Sequence, residues 1–139
     1  MNSLSWIRGI NATVGRLAPN RVAGQMRQAF MTPRNLPPRA WELPVLARAE
    51  RINLRFGLSA LRWGHGPTVL LMHGWEGRPT QFARLIEALV AAGYCAVALE
   101  GPAHGRSRGQ QANVVSFAHA LLEAAGELGP LHAVIGHSM

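Results

Sequence analysis

Two residue types are missing outright: none of the 139 positions is aspartate or lysine. Acid chemistry therefore falls to seven glutamates, and the positive charge is carried by 14 arginines alone. Cys95 is the single cysteine, which excludes an intrachain disulfide and a zinc site built on several thiolates. A reducing compartment fits best, and a cytoplasmic location is expected. No apolar run approaches the roughly 20 residues that span a bilayer. The N-terminus also lacks the uninterrupted apolar core of a secretory signal, so neither membrane spanning nor Sec export is expected.

What is present suits a packed domain. The chain is 48% hydrophobic and 15% charged, a globular composition that argues against disorder. Its net charge of +7 resembles that of a nucleic-acid binder, so the location of the charge matters. Residues 1–62 hold ten arginines against Glu42 and Glu50, a balance of +8, whereas residues 63–139 hold four arginines against five glutamates, a balance of −1. The excess belongs to the leader.

In that leader, Leu4, Ile7, Ile10, Val14 and Leu17, then Val22, Met26, Ala29 and Phe30, recur at helical spacing, with Pro19 and Asn20 between two short amphipathic helices. No acid precedes Glu42. A basic helix on a membrane surface, a transit peptide and a leader packed on the domain all suit this pattern. The stretch MTPRNLPPRA reads as an extended connector. The expected division is a leader and connector over 1–40 and a second domain over 51–139.

From Arg51 the pattern alternates, with Ile52, Leu54 and Phe56 on one face and Leu58 and Ala60 after Gly57, as in two antiparallel strands. TVLLM, YCAVALE and LHAVIG are continuous apolar runs of the kind found in parallel strands covered on both faces. Between them, residues 79–92 predict a helix with Phe82, Leu85, Ile86, Leu89 and Val90 on one face and Gly93 as its stop. Asn113 is the expected N-cap of a helix carrying Val114, Phe117, Ala118, Leu121, Ala125 and Leu128. Alternating strands and helices with short links imply an α/β architecture, here a mostly parallel sheet with flanking helices.

An open α/β sheet places its binding crevice at the carboxyl ends of its strands, and each run ends there in a suggestive turn. LLMHGWEG puts His73-Gly74 at the end of the first run, where glycine allows a tight turn and the Trp75 N–H can serve as an oxyanion donor. EGPAHGRS follows the second. GHSM follows the third, the context of a nucleophile elbow, with Gly136 as the small residue two before Ser138.

Taken together, residues 51–139 resemble the α/β-hydrolase superfamily: an HGx strand, a helix, an acidic-Gly-Pro-x-x-Gly-x-Ser loop, a second helix and a GHSM elbow. The resemblance implies that Ser138 is the nucleophile and that the backbone N–H groups of Trp75 and Met139 form the oxyanion hole. Gly136, His137, His73 and Gly74 support the elbow and turn, with His137 packed beneath the elbow. The family commonly has aspartate where Glu100 stands, a position that shapes the loop. The implied reaction is acyl transfer from an ester, thioester or amide, a small-molecule substrate, without cofactor or metal.

Other candidates have duller readings: His104 and Ser107 as loop formers, His119 and Glu123 as a surface pair, His65 and His132 beside turns, and Cys95 as a small hydrophobe. The family's order places the acid and histidine after the serine. No histidine follows Ser138, so the expectation is the N-terminal part of a longer hydrolase, with LHAVIG an open edge and the 139 residues inactive alone. The competing class is a non-catalytic basic module binding anionic lipid or nucleic acid, with peripheral membrane contact through the leader.

Overall fold

The computed structural model describes residues 9, 12 and 15–138. The first leader helix expected from the sequence lies largely outside these residues, as does Met139. The chain divides into two units, Met1–Thr32 and Pro33–Met139. In the first, helix α1 (Pro19–Met31) starts on Pro19, whose missing N–H and fixed φ suit a first helical position. No residue of α1 is buried.

The second unit is built on a five-stranded sheet in the order β1-β2-β4-β3-β5, from β1 (Glu50–Asn53), β2 (Ser59–Trp63), β3 (Thr68–Met72), β4 (Cys95–Glu100) and β5 (Leu131–Gly136). The strands β4, β3 and β5 run parallel, whereas β1 and β2 pair antiparallel and β2 joins β4 antiparallel. The sheet is thus mixed: the antiparallel pair expected from Arg51 onward joins the three parallel strands expected from the apolar runs. The first and second strands are short and linked by a turn, which allows antiparallel pairing, while parallel strands need the helical crossovers that follow.

Helices cover both faces. α3 (Ala83–Ala91) follows a 3-10 turn over Pro79–Phe82, and α4 (Val114–Leu128) crosses from β4 to β5; the short α2 is Leu43–Ala47. The period-2 alternation of β3 divides its side chains. Val69 and Leu71 pack with Ala83, Ile86 and Val45 on the α3 side, and Leu70 and Met72 with Phe117, Ala120 and Ala124 on the α4 side. Leu70 and Leu71 are fully buried, worth about 1.5–3 kcal/mol each relative to exposure. This places the ends of three parallel strands side by side, with β3 central.

Asn113 caps α4 as expected: its side-chain oxygen accepts the Ser116 N–H at 2.8 Å, and Ser116 Oγ accepts the Asn113 N–H at 2.9 Å. In the second unit four apolar positions depart from their expected faces. Phe56, Val90, Val114 and Ala118 are exposed, because Phe56 sits at φ 56° in the turn joining β1 to β2, the buried positions of α3 are Ala83 and Ile86, and the buried stripe of α4 runs through Phe117, Ala120 and Ala124. Nor is β5 buried on both faces: it pairs only with β3 among the described residues, and alternate residues are exposed. Its open edge is the one expected.

Among the described residues five ion pairs consume arginine charge: Arg34–Glu76, Arg48–Glu87, Arg51–Glu100, Arg62–Glu50 and Arg78–Glu42. The last is buried, with Glu42 taking two bonds from Arg78 at 2.6 Å and one from Thr80. Burial pushes the Glu42 carboxyl up, yet these donors outweigh it and hold its pKa below the usual value. No described helix is long and apolar enough to cross a membrane.

Candidate active site

The end of β3 is organised by a buried histidine. His73 Nε2 accepts the Gly101 N–H at 3.0 Å, so the ring proton must sit on Nδ1, which donates to the Gly74 carbonyl at 2.7 Å. Burial pushes the His73 pKa down to about 4, leaving a neutral imidazole with both nitrogens committed. The Gly74 carbonyl also accepts the Gly77 N–H at 3.0 Å. A trans peptide is planar, so fixing the Gly74 C=O direction points the Trp75 N–H the opposite way. Among the described residues that N–H has no acceptor.

The end of β5 meets this corner. The His137 N–H donates to the Met72 carbonyl at 3.0 Å, which carries the β3–β5 pairing one residue past the strand. Ser138 follows at φ 61°, in the left-handed region that costs a non-glycine residue about 1–3 kcal/mol. Its side chain is exposed. A Cβ added to Gly74 would lie 2.8 Å from the His137 carbonyl oxygen, 2.8 Å from Ser138 Cβ and 3.2 Å from Ser138 Oγ. Only glycine allows this approach.

Two supporting positions differ from expectation. The His137 ring is exposed, its centroid 6.4 Å from that of Phe82, and is not packed beneath the elbow. Its contribution is the backbone bond, which any side chain would permit. At Gly136 an added Cβ would meet nothing within 4 Å among the described residues. Met139 lies outside them.

The end of β4 braces the corner. Glu100 takes bonds from Arg51 at 2.6 Å and from the Arg106 N–H at 3.0 Å, holding the loop closed. Ser107 Oγ donates to the Glu100 carbonyl and accepts the Ser59 N–H. His104 proves more than a loop former. It is buried, its centroid 5.0 Å from that of His73, and its Nε2 accepts the Glu76 N–H at 3.0 Å. By the same reasoning its proton sits on Nδ1, which faces the Pro102 carbonyl at 2.8 Å. Burial lowers its pKa too.

Of the remaining candidates, His132 lies against Tyr94, the rings tilted at 43° with centroids 4.8 Å apart. His119 and Glu123 are exposed and make no ion pair with each other. Cys95 is buried, and burial raises its thiol pKa. Sequence reasoning overlooked Glu76, whose φ of 53° completes the turn, and Arg34 and Asn35, which reach this corner across 42 and 68 or more positions of chain. No periodicity could reveal such pairs.

The model of the alpha/beta hydrolase family matches residues 69–139. The chain belongs to this family. Solved structures agree with the assignment. One similar to this alpha/beta hydrolase chain is the thioesterase domain from the curacin biosynthetic pathway, 29% identical with a TM-score of 0.59, the match covering 66% of this chain and 36% of that one. Another is an epoxide hydrolase from an endophytic Streptomyces, 28% identical with a TM-score of 0.54 over 65% of this chain and 29% of that one. The chain thus spans about a third of the length of each. A comparison with curated protein sequences finds no match.

Proposed function

We propose that this alpha/beta hydrolase chain carries the nucleophile and one oxyanion donor of a serine hydrolase acting on an ester, thioester or amide. The observation that carries the reading is the meeting of Ser138, at φ 61°, with the Gly74 corner whose next amide, that of Trp75, has no acceptor among the described residues. Ser138 Oγ attacks the acyl carbonyl and forms a tetrahedral adduct. Its oxyanion takes a hydrogen bond from the Trp75 N–H and, by resemblance, from that of Met139. Collapse expels the alcohol, thiol or amine, and water then releases the acid.

A serine at the elbow favours this chemistry over epoxide opening, whose relatives use a carboxylate nucleophile. Likeness to a thioesterase domain supports acyl transfer. The buried histidines do not serve as the base: both ring nitrogens of His73 and of His104 are engaged. The proton acceptor is therefore neither of these two histidines.

The test uses the protein at its full translated length. A fluorophosphonate probe, which captures activated serines, is expected to label it once per chain and to leave Ser138→Ala unlabelled. Labelling that persists in that variant, or fails in the unsubstituted protein, overturns the assignment.

A further inference from the structure

We propose that residues 33–39 form a strap that holds the oxyanion turn in its working geometry, with Arg34 and Asn35 as positioning residues; this rests on the hydrolase reading above. The segment has no regular structure, yet it bridges the loops at the ends of β3 and β4. Arg34 grips the Glu76 carboxylate three times, through its main-chain N–H at 3.2 Å, Nε at 2.8 Å and a terminal guanidinium nitrogen at 2.6 Å. Asn35 forks across the neighbouring loop: its amide donates to the Ala103 carbonyl at 3.2 Å, and its oxygen accepts the Gly105 N–H at 2.9 Å.

The anchor points are the reason to assign a role in the reaction. Glu76 and Ala103 have φ of 53° and 62°, two of four non-glycine residues in the left-handed region among those described. Such conformations persist only where the surroundings over-determine them. Glu76 is held from the protein side by His104, which accepts its N–H, and from the solvent side by Arg34. Between Gly74 and Glu76 lies Trp75, so freeing Glu76 frees one end of the turn that aims the proposed donor.

A purely structural strap would read differently. The Arg34 side chain is 75% exposed, and exposed ion pairs add little to global stability. Its value would instead appear where the turn must be stiff, in the oxyanion-bearing transition state.

The experiment compares p-nitrophenyl acetate turnover and thermal melting in the full-length protein and its Arg34→Ala, Arg34→Lys and Asn35→Ala variants. Loss of an oxyanion donor outright costs about 100- to 1,000-fold in kcat, so a loosened turn is expected to cost about 10-fold in Arg34→Ala, with KM and Tm unchanged. Lysine, which keeps the charge but not the fork, should recover part of the loss. Unchanged kcat, or a loss that only follows a falling Tm, overturns the strap while leaving Ser138-dependent labelling intact. Absent labelling in the unsubstituted protein overturns the hydrolase reading and the strap's role with it.

Discussion

The ends of β3 and β5 lie side by side, yet they are held in opposite ways. At β3, His73 commits both ring nitrogens, the Gly74 carbonyl accepts two bonds, and Glu76 is held by His104 and by Arg34. At β5, one main-chain bond from His137 to Met72 and the approach to Gly74 set the backbone, on a strand whose alternate residues are exposed. The β3 side, which carries the proposed donor, is therefore preorganised by burial, and Ser138 packs against it. In a site of this kind the stiffest part is the part that must meet developing charge.

The most direct way to break this contrast is Gly74→Ala. The added Cβ would collide with the His137 carbonyl at 2.8 Å, a backbone atom that cannot swing aside. Turnover of an activated ester by the full-length protein is expected to fall about 100-fold or more, comparable to losing an oxyanion donor. Unchanged turnover would show that Ser138 does not take its position from the Gly74 corner, and the comparison would fail.

Acid sharpens the same comparison, because the most strongly shifted histidine, His73, lies at the end of β3. His73 stays neutral in the fold with a pKa of about 4, whereas an unfolded histidine titrates near 6.5. Below about pH 6.5 the unfolded chain binds a proton that the fold refuses, so stability is full above that pH and falls as pH drops to about 4. The loss approaches about 3 kcal/mol from this residue, and His104 adds loss of the same sign. Urea midpoints measured from pH 7 to 4 should decline, and His73→Asn should flatten the decline. A flat profile in the unsubstituted protein would refute the buried neutral imidazole.

The smallest expected effect lies far from both ends. Arg48 and Glu87 form an exposed pair, their side chains 61% and 53% accessible. Glu87→Gln should change the unfolding free energy by less than about 0.5 kcal/mol. A larger change would mean that surface charge, rather than the buried corner, governs this fold.

Much of the scaffold was legible in the chain. TVLLM, YCAVALE and LHAVIG announced three strands, Asn113 its helix cap, and HGW and GHSM the two turns that meet. Local misreadings had local causes. Phe56 completed an alternation on paper but falls in a left-handed turn, and Val114 fits a helical stripe one step away from the buried one. His104 looked like loop filler because its value depends on Glu76, 28 positions away in the chain.

The sequence by itself determined which segments are strands, which turns end them and where the charge excess lies, because periodicity, glycine placement and composition act over a few neighbouring residues. Only the tertiary structure decided that β3 sits between β4 and β5, that His73 and His104 are single neutral tautomers, and that Arg34 and Asn35 reach the site loops. Those outcomes depend on partners distant in the chain, and a hydrogen bond or a burial cost exists only once the fold has brought both groups together.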